Sequence, residues 1–97
     1  MSRSEEQKNW KALVELFSEV HDPDRMASLL EFFLTLNEKS FLIDRYRLVR
    51  ELFQAKKSQR EIAEELKISI SKITAGSNAI KRCPDELKEF LTGYFNS

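Results

Sequence analysis

Residues 58–81 read SQREIAEELKISISKITAGSNAIK, and the fold turns on them. Ser58 with Glu61 three residues on is a capping box, and it opens a short helix from Gln59 to Leu66. Ile62 and Leu66 fall on the inner face of that helix, and Ala63 is small where a second helix must come close. Lys67-Ile68-Ser69 then makes a three-residue connection in which Ile68 plugs the turn. A second helix runs from Ile70 to about Ile80, and Ile73 packs it back on the first. This pattern fits a helix-turn-helix at about residues 59–80. An ordinary αα-hairpin with its core at helical spacing is the competing reading. Many such turns carry Gly. Lys67 stands here instead, at a cost of about 1 kcal/mol if its backbone is left-handed.

A helix-turn-helix offers the N-terminal end of its second helix to base edges in the major groove. Ile70, Ser71, Lys72 and Thr74 occupy that end, with Ala75 just behind, and Lys72 has the chemistry to donate to guanine. Gln59 and Arg60 open the first helix, where N–H groups and a cation grip phosphate, and Lys81 is a further backbone contact. Charge is distributed accordingly. The chain has no net charge, yet residues 56–82 hold 7 basic and 3 acidic residues, a net of +4 between acidic flanks. A solvated charged face would show the same excess, so charge alone leaves both readings open.

The pattern extends outward in both directions. Trp10, Leu13, Val14, Phe17 and Val20 recur at helical spacing over about residues 5–20, after a capping-box spacing at Ser4–Gln7. Asp22-Pro23 starts a second helix with a capping Asp and a proline whose missing N–H costs nothing. That helix carries Met26, Leu29, Leu30, Phe32 and Phe33 and is apolar nearly all round at its end, so it must be covered on more than one side, by this chain or another. Thr35 and Glu38 make a capping box for a third helix reaching about Ala55, with Phe41, Leu42, Tyr46, Val49, Leu52 and Phe53 inward. Lys56 and Lys57 suit its C-terminal dipole. Cys83-Pro84-Asp85-Glu86 begins the last helix, with Leu87, Phe90, Leu91 and Tyr94 apolar.

Composition excludes much else. Ninety-seven residues suit one domain, and 2 Gly with 2 Pro are too few turn residues for a sandwich or barrel of short strands, so the class is all-α. One His and one Cys allow no His/Cys metal cluster, no Ser-His or Cys-His-Asn set and no internal disulfide. Glu64 and Glu65 are adjacent on a helix and point apart, which reads as solvated surface, not paired acids. No apolar run approaches the roughly 20 residues of a membrane span. With a polar stretch from Met1 to Lys11 and a lone Cys, a cytoplasmic, non-enzymatic protein is expected, and small helical domains often gain core by dimerising.

Ser58-Gln59-Arg60-Glu61-Ile62, Ile73-Thr74-x-Gly76-Ser77-Asn78-Ala79-Ile80-Lys81 and Pro84 resemble the Trp repressor family, as do Leu34-Thr35-x-x-Glu38 and Arg45-Tyr46-Arg47-Leu48-Val49-x-Glu51-Leu52 upstream. The resemblance covers about residues 29–93. Gly inside a helix is costly and implies close approach by something at Gly76. The resemblance implies an intertwined homodimer of six-helix subunits and a near-palindromic double-stranded DNA operator. It also implies free L-tryptophan as corepressor, held between core and reading head. Carried over, the ligand site comprises Arg45 flat on the indole, Leu34 and Thr35 from the partner subunit, and Gly76 with its neighbours Ala75 and Ala79. Two positions depart from the family. Ala75 stands where it has an Arg that walls the indole and meets the carboxylate, and Ala79 where it often has Ser. Tryptophan bound more weakly, or with Lys72 or Lys81 substituting, a differently charged indole compound, and no effector at all are the three readings this leaves. Outside the family reading, a DNA-binding module without effector and a helical protein–protein adaptor are the rivals; salt-dependent DNA binding separates them.

Overall fold

Ser2, not Ser4, caps the first helix: its side chain accepts from the Glu5 N–H at 3.2 Å, two residues earlier than the capping-box spacing suggests. In the computed structural model, which describes residues 1–97, the chain forms six helices and no strand. It divides into two compact units, Met1–Asn37 and Glu38–Ser97.

The first unit holds α1 (Arg3–Ser18) and α2 (Pro23–Phe33). Asp22 caps α2 as expected, accepting from Arg25 N–H at 3.1 Å, with Pro23 in the first turn. Phe17 of α1 meets Phe33 of α2 at 6.0 Å between ring centroids, and Phe32 stands edge-on to Phe33 at 5.1 Å. Neither helix buries a residue fully, and Trp10 and Phe32 remain 66% and 78% exposed. The first unit by itself therefore does not cover the apolar surround of α2.

α3 (Leu36–Gln54) leads into the second unit, followed by α4 (Gln59–Leu66), α5 (Ile70–Arg82) and α6 (Asp85–Phe95). The core is Leu48, Ile62, Ile68 and Ile73, with Val49, Leu52, Ala63 and Leu66 packed against it. Three of those four close the α4–α5 pair as the sequence indicates. The fourth corrects the reading of α3. Leu48 is buried, while Phe41, Leu42 and Tyr46, expected inward, are exposed. α3 presents two apolar faces. Leu48 and Leu52 meet α5, whereas Tyr46 and Phe53 meet Phe95 of α6 at 6.0 and 5.9 Å. Phe95, rather than the exposed Phe90 and Tyr94, anchors α6, helped by Gln54 Nε2 donating to the Phe95 carbonyl at 3.2 Å and Asn96 Nδ2 to that of Phe53 at 3.1 Å.

The turn has the expected geometry. Lys67 lies at φ 56°, ψ 43°, in the left-handed region that favours Gly, and Ser69 starts α5 by accepting from Lys72 N–H. α4 carries the complete capping box: Ser58 Oγ accepts from Glu61 N–H, and Glu61 Oε1 accepts from Ser58 N–H, both at 3.1 Å. Lys57 lies three residues past the end of α3 and makes ion pairs to both flanking helices. Its ammonium lies 3.6 Å from Glu51 of α3 and 2.5 Å from Glu65 of α4, tying the two helices together. α5 runs two residues further than expected, to Arg82, placing Lys81 and Arg82 in its last turn.

Candidate functional site

Two helices build the site. On α3, Phe41, Asp44, Arg45 and Leu48 follow one another at spacings of three, one and three, a single helical face. On α5, Ser71, Lys72 and Ala75 face them across one turn. Together these seven side chains line a cavity of about 180 Å³ within the second unit. Its charges are mixed. Arg45 and Asp44 are half-buried, and Asp44 Oδ1 also lies 3.5 Å from Arg47 Nη1. Lys72 is exposed but lies along the wall, its ammonium 5.7 Å from the centroid of the Phe41 ring, a cation–π contact.

Gly76 is buried behind this cavity. A Cβ built on it would overlap Leu48 Cδ1 and stand 3.6 and 3.7 Å from Leu48 Cγ and Leu52 Cδ1. The close approach that a mid-helix glycine implies is therefore that of α3, and Leu48 fills the space. Ala79, one turn on, faces a different cavity, lined by Val49, Phe53, Ile80, Cys83, Leu87 and Leu91. Leu34 and Thr35 belong to the first unit, where the Leu34 N–H closes α2 on the Leu30 carbonyl at 2.9 Å. Of the anticipated ligand residues, the structure thus brings Arg45 and Ala75 to one cavity. It adds Phe41, Asp44, Leu48, Ser71 and Lys72, whose spacing on two helical faces was visible in the sequence once Arg45 and Ala75 were taken as anchors.

The residues anticipated at nucleic acid are all on the surface. Gln59, Arg60, Ile70, Ser71, Lys72, Thr74 and Lys81 are exposed. Gln59 Nε2 reaches Ser77 Oγ at 3.3 Å, joining the start of α4 to the middle of α5. Ser69 and Ser71 hydroxyls share a hydrogen bond at 3.2 Å beside the α5 N-terminus. Ile70 is 52% exposed at that end, an apolar side chain that the core leaves free for contact.

The family model described as Trp repressor protein matches residues 8–94. The chain belongs to the Trp repressor family. Among its relatives, a Trp operon repressor homolog of Chlamydia trachomatis is 36% identical over 89 residues, covering 92% of this chain and 95% of the relative. Proteins of the same name from Chlamydia caviae and Vibrio vulnificus are 34% and 35% identical over 91 residues, each covering 94% of this chain and 90% and 89% of the relative. Trp repressors are transcriptional regulators, not enzymes, and the absence of strands with six helices in this order fits their fold. No helix here is long and apolar enough to cross a membrane, and no group of His, Cys, Asp and Glu could hold a metal ion.

Proposed function

We propose that this member of the Trp repressor family is a homodimeric, cytoplasmic repressor that binds a near-palindromic DNA operator through the helix-turn-helix α4–α5. Both units fold into one domain on dimerisation, and L-tryptophan acts as corepressor. The observation that carries this reading is the cavity shared by Arg45 on α3 and Ala75 and Lys72 on α5. A ligand there touches the supporting helix and the reading helix at once, so its binding energy biases the position of α5. Gln59, Arg60 and Lys81 position phosphates, while Ile70, Ser71, Lys72 and Thr74 stand near bases. Leu34 and Thr35 of the partner subunit complete the ligand's surroundings in the dimer, with Gly76 behind the cavity, whereas Ala79 faces another cavity and is not part of them.

Ala75 favours a second reading, in which a differently charged indole compound is the effector or none is needed. The small methyl leaves Lys72 as the one cation that α5 gives the cavity. One experiment separates the readings: duplex binding over a series of salt concentrations, with and without L-tryptophan at each, for the wild type and Arg60→Ala. Tryptophan is expected to tighten operator binding severalfold. Arg60→Ala is expected to weaken operator and random duplexes alike and to flatten the salt dependence by about one phosphate contact. Operator affinity indifferent to tryptophan would leave the second reading, and the absence of any salt-dependent duplex binding would remove the DNA-binding reading altogether.

A further inference from the structure

α4 and α5 pack on each other more extensively than any other two helices of the chain, so they form one body beside α3. The apolar join of that body to α3 is central: Leu48 lies against Gly76 at the middle of α5, in the core it shares with Ile62 and Ile73. An ionic join lies at the rim. The backbone turns out of α3 at Ala55, at φ 55°, and Lys57 two residues on returns to it, with its ammonium 3.6 Å from Glu51 Oε2. The same ammonium donates to Glu65 Oε2, one residue before the end of α4 and beside the turn into α5. Lys57 and Glu51 are half-buried, and Glu65 is exposed. Glu61, four residues before Glu65 on the same face of α4, also feels the charge of Lys57. A contact at the rim of a joint resists a rotation that a central contact permits.

We infer that Lys57 is a positioning residue for DNA recognition: by holding Glu51 of α3 and Glu65 of α4 at once, it sets the angle at which the α4–α5 pair is presented to a duplex. This rests on the reading of α4–α5 as the DNA-binding unit. Lys57 acts through the placing of Gln59, Arg60 and the start of α5, not through a phosphate of its own. The two roles differ in sign when a carboxylate is removed. A lysine that acts only as a cation toward DNA gains when a neighbouring negative charge is lost, whereas a clasp is lost with either partner.

The test is binding at fixed salt, by the full chain, of a duplex that the wild type selects from a randomised pool. Glu51→Gln and Glu65→Gln each remove a negative charge, yet each is expected to weaken binding by roughly two- to fivefold, the scale of a partly exposed ion pair. Lys57→Arg is expected to keep wild-type affinity, and Glu65→Gln added to Lys57→Met to bring no further loss. Hydrogen-exchange protection of the Ile62 and Ile73 amides is expected to stay as in the wild type, which separates a turned pair from an unfolded one. Loss of that protection would overturn the positioning role, since Lys57 would then hold the pair together rather than aim it. Unchanged or tighter binding by the glutamine variants would overturn the clasp alone. A wild type that selects and binds no duplex would overturn the DNA-binding reading beneath it.

Discussion

Gly76 is a packing residue first. Its missing side chain is where Leu48 lies, and Leu48 is 1% exposed with Ile62 and Ile73 buried beside it. Gly76→Ala gains about 1 kcal/mol of helix propensity but forces Leu48 to rotate inside a filled core, a disturbance of about 1–3 kcal/mol. A net loss of about 1 kcal/mol is expected by denaturant unfolding, and a smaller one in a Leu48→Ala background, where the obstacle is gone. Equal losses in both backgrounds would show that Leu48 is not what the glycine accommodates. Lys67 poses the opposite case. It holds a left-handed backbone at φ 56° with a full side chain, so Lys67→Gly should raise stability by about 0.5–1 kcal/mol, after the extra entropy of Gly in the unfolded chain is subtracted. A lower melting temperature for Lys67→Gly would mean that the side chain itself contributes more than the strain costs.

At the scale of the element, α4 is eight residues long and depends on its cap. The Ser58 backbone N–H donating to Glu61 holds that carboxyl below the ordinary carboxylate range, with the Ser58 hydroxyl and Lys57 acting in the same sense. A depressed carboxylate contributes stability above its unfolded value and loses it as pH falls through the folded one. Wild type should therefore melt higher than Glu61→Ala near neutral pH, and the gap should narrow as pH falls below about 4. A gap that is constant with pH would remove the charge from the account and leave only the hydrogen bond. Lys57 works at the other end of the scale. Its hydrogen bond to Glu65, with Glu51 adding to it, raises its value, so its contribution is present through neutral pH and is lost only as pH rises through the alkaline lysine range.

For the whole molecule, the exposed aromatic surface is the feature that calls for a partner. Trp10, Phe32, Phe90 and Tyr94 are each more than 60% exposed, and only four hydrophobic residues of the chain are buried. A 97-residue chain with so small a core is poorly stabilised alone. Covering these side chains with a second copy would produce the large, apolar interface of an obligate dimer. Light scattering is expected to give twice the chain mass at micromolar concentration, and the melting temperature is expected to rise with protein concentration. A folded monomer with a concentration-independent melt would reject the dimer. Replacing Trp10 and Phe32 by Ser should weaken dimerisation without disturbing the α4–α5 pair, whose core of Ile62, Ile68 and Ile73 belongs to the other unit.

What the sequence determined by itself was everything governed by short-range rules. The capping box at Ser58, the Asp22-Pro23 start, the three-residue turn and the inward isoleucines of α4 and α5 depend on residues within one helical turn, and each was legible in the residue order. Even there a cap slid from Ser4 to Ser2, since two serines in one polar stretch compete on nearly equal local terms. Tertiary structure decided how the helices are turned. The periodicity of α3 permits either of two apolar faces to point inward. Leu48 became the buried one because only Gly76 lets α5 come close enough to receive it. That same rotation carries Phe41, Asp44 and Arg45 to Lys72 and Ala75 and sends Ala79 to another cavity. Helix propensity and capping act along the chain, whereas the facing of one helix toward another is set by the volumes that meet between them, and those are known only when both helices are in place.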